Sequence, residues 1–202
     1  MMKTLLSVFL VLLGINLAAD EGLYAKGRQV PVILNGGEHL LVGKSRDGKV
    51  QIEDGAIFKA VTSTEAATVY EDWDYHEHVV FSPNPYPAGG SEFYVLNTDR
   101  GEFIHANLYS MPNPDNDYTQ RIFHIDSYDG EVILRTRKGV EQTWEIEKKD
   151  LEHLVEWENG DRVIIGMNSN WFARFSSDCK YILVNCDKHQ RTTHVRIRPS
   201  KN

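Results

Sequence analysis

The stretch DYHEHVV, beginning at Asp74, holds the residues with the most explicit chemical potential. His76 and His78 alternate, which predicts two imidazoles on one strand face, with Asp72, Asp74 and Glu77 beside them. Imidazole and carboxylate ligands suit zinc or another divalent metal. A catalytic zinc site needs a third protein ligand, and the spacing locates none. The plainer alternative is an exposed turn, because the matching place later in the chain holds Gly160-Asp161-Arg162.

Two loops form a second candidate. SPNPYPAGGSE begins at Ser82 and MNSNWFARFSSD begins at Met167. Each follows an apolar run, and each carries an asparagine, Asn84 or Asn168, with aromatic residues after it: Tyr86 in one, Trp171, Phe172 and Phe175 in the other. Aromatic rings beside amides can stack on a sugar or peptide and hydrogen-bond it. The alternative is structural: the asparagines hold turns through their own backbone, and Trp171 and Phe172 fold back as lids. A third candidate is the basic last segment, in which His194, Arg196 and Arg198 share one strand face and Val195 and Ile197 share the other. That face suits an anionic glycan, lipid head group or acidic protein; basic charge also protects an edge strand from unwanted pairing.

Catalytic motifs are missing. The chain contains no Gly-x-Ser-x-Gly, His-Glu-x-x-His or phosphate-loop pattern. Cys179 and Cys186 flank KYILVN, which reads as one strand. Seven strand steps span about 20 Å, whereas a disulfide needs Cα atoms within about 7 Å. Two buried or half-buried thiols are expected, with no catalytic context for either.

The elements that position these residues come as a repeat. SRDGKV at Ser45 and SYDGEV at Ser127 both lie between apolar, alternating runs. Asp-Gly in that setting is a strong hairpin signal, because glycine supplies the positive φ of the turn. Phe58 aligns near Trp144, Trp73 with Trp157, and Val79-Val80-Phe81 with Val163-Ile164-Ile165. Asn84 aligns with Asn168, and FYVLNTD with YILVNCD. Two copies of one unit, 36–111 and 118–199, follow, with 112–117 as an ordered, Pro- and Asn-rich link. Each copy shows about six short strands, which argues for an all-β barrel or sandwich. An SH3-like barrel is the preferred picture. One short helix interrupts each copy. Leu151, Leu154 and Val155 would form its apolar face in the second, with Asp150 as a cap; Thr62 and Glu65 have capping-box spacing in the first. A unit this small buries only a modest share of its surface, so the copies are expected to pack together.

These residues also resemble a group of uncharacterised exported proteins of chlamydia-type bacteria. The resemblance lies in Tyr118-Thr119, Ile125-Asp126, Gly130-x-Val132-x-Leu134, Trp144, Asp150, Trp157 and Asp161-x-Val163-Ile164-Ile165-Gly166. It continues in Asn168, Trp171, Ile182-x-Val184-Asn185, Val195-Arg196 and, in the first half, Ala106-Asn107-Leu108. The chain departs from that group where 135–143 replace a short Asp-Gly-Ser turn. The resemblance implies export and a two-part β architecture; it brings no activity and no catalytic residues.

Compartment and charge complete the reading. Lys3, the apolar run Leu5–Ile15 and the small pair Ala18-Ala19 before Asp20 have the layout of a secretory signal peptide over 1–19. The run is shorter than the roughly 20 apolar residues of a spanning helix. Residues 20–35 form a separate segment in which VPVIL, from Val30, could add a strand. The net charge of −7 disfavours general nucleic-acid binding. The expectation is an exported, periplasmic or secreted module without cofactor, which binds a protein or glycan. The alternatives are a metal-dependent or cysteine hydrolase of envelope polymer, and a structural envelope protein that self-associates through strand edges.

Overall fold

The computed structural model describes residues 37–61, 65–85, 90–168, 178–188 and 194–200, with backbone alone at 65–68. The first unit contains β1 (Glu38–Lys44), β2 (Lys49–Ile52), β3 (Ile57–Ala60), a 3₁₀ helix (Glu65–Asp72), β4 (His78–Pro83), β5 (Phe93–Asn97) and β6 (Glu102–Ser110). The second contains β7 (Gln120–Asp126), β8 (Glu131–Thr136), β9 (Glu141–Ile146), a 3₁₀ helix (Lys148–Glu156), β10 (Arg162–Met167), β11 (Tyr181–Asn185) and β12 (His194–Pro199).

Each unit is a closed, antiparallel six-stranded barrel, and the two have the same strand order: β1-β2-β3-β6-β5-β4, then β7-β8-β9-β12-β11-β10. The helix sits between the third and fourth strands of each. The protein is therefore all-β, with two tandem, related barrels, as the internal match predicts. Both Asp-Gly turns join the first two strands of their barrels, with Gly48 at φ +90° and Gly130 at φ +73°. The link is ordered: Asn113 N–H, the Asn116 amide and the Thr119 hydroxyl all donate to the backbone at Glu53 or Asp54.

Inward-facing residues fill each barrel. Phe58, Phe81 and Phe93 meet with centroid separations of 5.2–5.9 Å in the first. Trp144 packs edge-on to Tyr181 in the second. Trp73 and Trp157 are buried behind the helices, as their alignment predicts. The helical face departs from expectation. Leu154 is buried but Val155 is 85% exposed. A 3₁₀ helix has three residues per turn, so Leu151 and Leu154 line up and Val155 is rotated off the face. Nor does Asp150 cap that helix: it lies within it and accepts hydrogen bonds from Arg196 on β12. The Thr62–Glu65 box and VPVIL fall outside the described residues or side chains.

The barrels share one apolar joint. Alternation points Val163 and Ile165 into the second barrel and Ile164 outward; Ile164, Ile182, Val184 and Cys186 join the core cluster of the first barrel. β4 packs on β10. At the same joint His39 of β1 is buried, stacked on Phe81 at 5.6 Å. Its Nδ1 meets Glu53 Oε1 and its Nε2 donates to the Ile165 carbonyl of the other barrel, both at 2.8 Å. Burial opposes a charge on this ring, but the Glu53 carboxylate outweighs it and raises the pKa to about 9. Burial, with the Glu53 charge beside it, raises Asp54 to about 7.

Candidate functional site

The matched asparagines do one structural job in both copies. Asn84 N–H donates to the Glu92 carbonyl and its amide to the Ser91 carbonyl. Asn168 N–H donates to Lys180 and its amide to the Cys179 carbonyl. Each closes the neck of its loop. Tyr86, Trp171, Phe172 and Phe175 lie outside the described residues, so the paired aromatic loops gain no geometry here.

His76 and His78 do not share a strand face. His76 sits in the turn before β4 with φ +71°, the left-handed conformation that Gly160 adopts at φ +98° in the second copy. His78 begins β4 and turns its Nδ1 to Asp99 at 3.0 Å. Glu77 takes the place of Asp161. Each carboxylate accepts from the amide of a strand-end asparagine, Asn97 or Asn185, at 2.6 and 2.7 Å. The same asparagines accept two backbone N–H groups, of Asp99 and Arg100 or of Asp187 and Lys188. This repeated knot explains why Asn-x-Asp recurs. Among the described residues, no group of three or more His, Cys, Asp or Glu side chains is placed to hold a metal ion.

The basic last strand is charge-paired. Arg196 grips Asp150 through Nε at 2.8 Å and Nη2 at 2.6 Å. Burial alone would raise the Asp150 pKa, and this guanidinium holds it below the ordinary carboxylate value. Arg198 binds Glu145 through Nε at 2.7 Å and reaches Asp178. β12 lies between β11 and β9, so it is no edge strand needing protection. Cys179 and Cys186 are buried thiols that form no disulfide, and burial pushes the Cys186 pKa up, away from the thiolate a nucleophile requires.

A different face brings binding chemistry together. On β6, Ile104 and Ala106 point into the barrel, which turns Phe103 and His105 outward. Tyr94 of β5 is the cross-strand partner of His105. The rings cluster: Tyr94 to His105 at 4.7 Å, Tyr94 to Phe103 at 5.5 Å, and Phe103 to His105 at 5.8 Å. Phe103 stays 46% exposed. His105 is oriented from behind. Asn84 Nδ2 donates to Ser91 Oγ at 2.8 Å, which frees the hydroxyl to donate to His105 Nδ1 at 3.1 Å. In the tautomer that accepts this bond on Nδ1, the ring N–H is on Nε2. Ser91 is 1% exposed, so it serves as a support and not as an attacking group. Asn107 pins the approach: its Oδ1 accepts from Glu92 N–H and its Nδ2 donates to Gly90 O, at 2.7 and 2.8 Å.

Among the described residues, Asn84 is thus the one sequence candidate that this face uses, through Ser91. The face itself was legible as alternation in EFIHANLY from Glu102, which places aromatic and polar side chains opposite Ile104 and Ala106. No family model, curated protein or solved structure matches the chain.

Proposed function

We propose that the chain is an exported, non-catalytic binding module that takes a glycan or peptide on the outer β5–β6 face of the first barrel. The observation that carries the reading is the outward Tyr94–Phe103–His105 cluster, with Phe103 exposed, Tyr94 and His105 half-buried, and His105 held by the Asn84–Ser91 relay. Apolar ring faces beside a fixed N–H donor combine stacking with one directional hydrogen bond. Export rests on Lys3, the run Leu5–Ile15 and Ala18-Ala19. Among the described residues no helix is long and apolar enough to cross a membrane.

Two features favour binding over the other classes. The Cys186 thiol is buried with a raised pKa, which does not suit a cysteine hydrolase. Both sheets close on themselves, which removes the free edge that edge-to-edge self-association uses. Glycan and peptide arrays probed with the full chain and with Phe103→Ala test the reading. Hits held by the native chain and weakened about tenfold or more in the variant, at unchanged melting temperature, support it. Hits of equal strength on both chains, or none on either array, sink it.

A further inference from the structure

The β6 face continues past His105, because Asn107 and Tyr109 occupy the next outward positions. Phe103 and Tyr109, 46% and 58% exposed, stand at most about 20 Å apart along β6, whose register against β3 shifts between Leu108 and Ser110. At the Tyr109 end two cations converge. Lys49 of β2 and Lys59 of β3 place their ammonium groups 5.0 and 5.5 Å from the ring centroid.

Lys49 and Lys59 are direct cross-strand partners, and like charges in that relation destabilise a sheet. Asp47 answers Lys49 at 2.9 Å. Lys59 is exposed, and its partner on β6 is the uncharged Asn107. The second barrel handles the same positions differently. Its cross-strand pair is Glu131 and Glu145, and Arg198, opposite Glu145 on β12, neutralises it. Each barrel counters one member of its pair, Lys49 by Asp47 and Glu145 by Arg198; in the first barrel both members are cations that meet on the exposed Tyr109 ring, in a chain of net charge −7.

We infer that the Lys49–Lys59–Tyr109 end of the β6 face takes the carboxylates of an acidic polysaccharide, whose sugar rings lie along the strand between Tyr109 and Phe103. The inference rests on the binding-module reading and narrows its ligand. Sugar rings use the faces of aromatic side chains. An extended peptide gains much of its affinity on a sheet by pairing with a free edge, and both barrels are closed.

The test uses affinity electrophoresis of the full chain at low ionic strength in gels of polygalacturonate, of hydroxyethylcellulose or of polyglutamate. Polygalacturonate alone should retard the chain. Lys49→Gln/Lys59→Gln should weaken that retention about tenfold, the size of two partly exposed ion pairs, and added salt should weaken it in the native chain. Tyr109→Ala, which keeps both charges, should weaken it as well. Retention by hydroxyethylcellulose equal to that by polygalacturonate overturns the acidic specificity; if Phe103→Ala abolishes both, the binding face stands without it. Equal retention by polyglutamate overturns the sugar, and native-strength retention of the double glutamine variant overturns the lysine site. Failure of all three polymers overturns the inference, while the arrays judge the face independently.

Discussion

Gly166 of β10 lies so close to Phe81 of β4 that a methyl group on it would stand 2.6 Å from Phe81 Cε2 and 2.7 Å from the Phe81 backbone oxygen. The two barrels meet there without room for a side chain. Moving the ring does not relieve the contact, because the second clash is with backbone. Gly166→Ala should therefore cost about 2 kcal/mol or more. Urea unfolding checks this, and a loss below about 0.5 kcal/mol would show that the joint yields easily.

The buried His39–Glu53 pair makes the joint sensitive to pH. The folded pKa of His39 is raised from 6.5 to about 9. A raised pKa means tighter proton binding when folded. The contribution is whole below about pH 6.5 and is lost as pH rises through about 9. Asp54, raised to about 7, acts in the same direction over a lower window. Stability should fall between about pH 4 and pH 9, and His39→Gln should flatten the part above neutrality. An identical pH slope in the variant would remove His39 from the account.

His76 and Gly160 occupy one turn position in the two copies, at φ +71° and +98°. A side chain in the left-handed region costs about 1 kcal/mol. His76→Gly should recover about that amount, read as a higher melting temperature. A loss of stability would mean that the His76 ring makes a contact worth more than the strain.

The internal repeat explains what the sequence could disclose. Ser45 and Ser127, Trp73 and Trp157, and Asn84 and Asn168 each report on one another, so the chain contains its own comparison and the two-barrel plan is legible. Val155 breaks the expected helical face because apolar spacing cannot distinguish a 3.6-residue turn from a three-residue one. His76 alternates with His78 like a strand residue, but its match to Gly160 already offers the turn that its backbone adopts. Arg196 and Arg198 read as an open basic face because Asp150 and Glu145, their partners, are far away in sequence. The Phe103–His105 face shows as alternation, but its chemistry depends on Tyr94 and Ser91 from other segments. The His39 link to the Ile165 carbonyl has no local signal at all.

The repeated knots offer a test of whether the two barrels are equally built. Asn97 is 0% and Asn185 1% exposed, and each makes the same three kinds of hydrogen bond. Replacing either by Ala leaves two backbone N–H groups and one carboxylate without that partner. The expected cost is about 2–3 kcal/mol at each site. The settings differ in one respect. Glu77 is also held by Arg100 Nε at 2.7 Å, whereas Asp161 has Lys188 only at 3.9 Å. Glu77 keeps a charged partner in close contact when Asn97 is lost; Asp161, at 9% exposure, keeps the Glu158 N–H at 2.9 Å but no cation nearer than Lys188 at 3.9 Å among the described residues. Asn185→Ala should therefore be the more damaging of the two in parallel urea titrations. An equal or reversed order would mean that the arginine contributes little to the first knot and that the backbone contacts carry both.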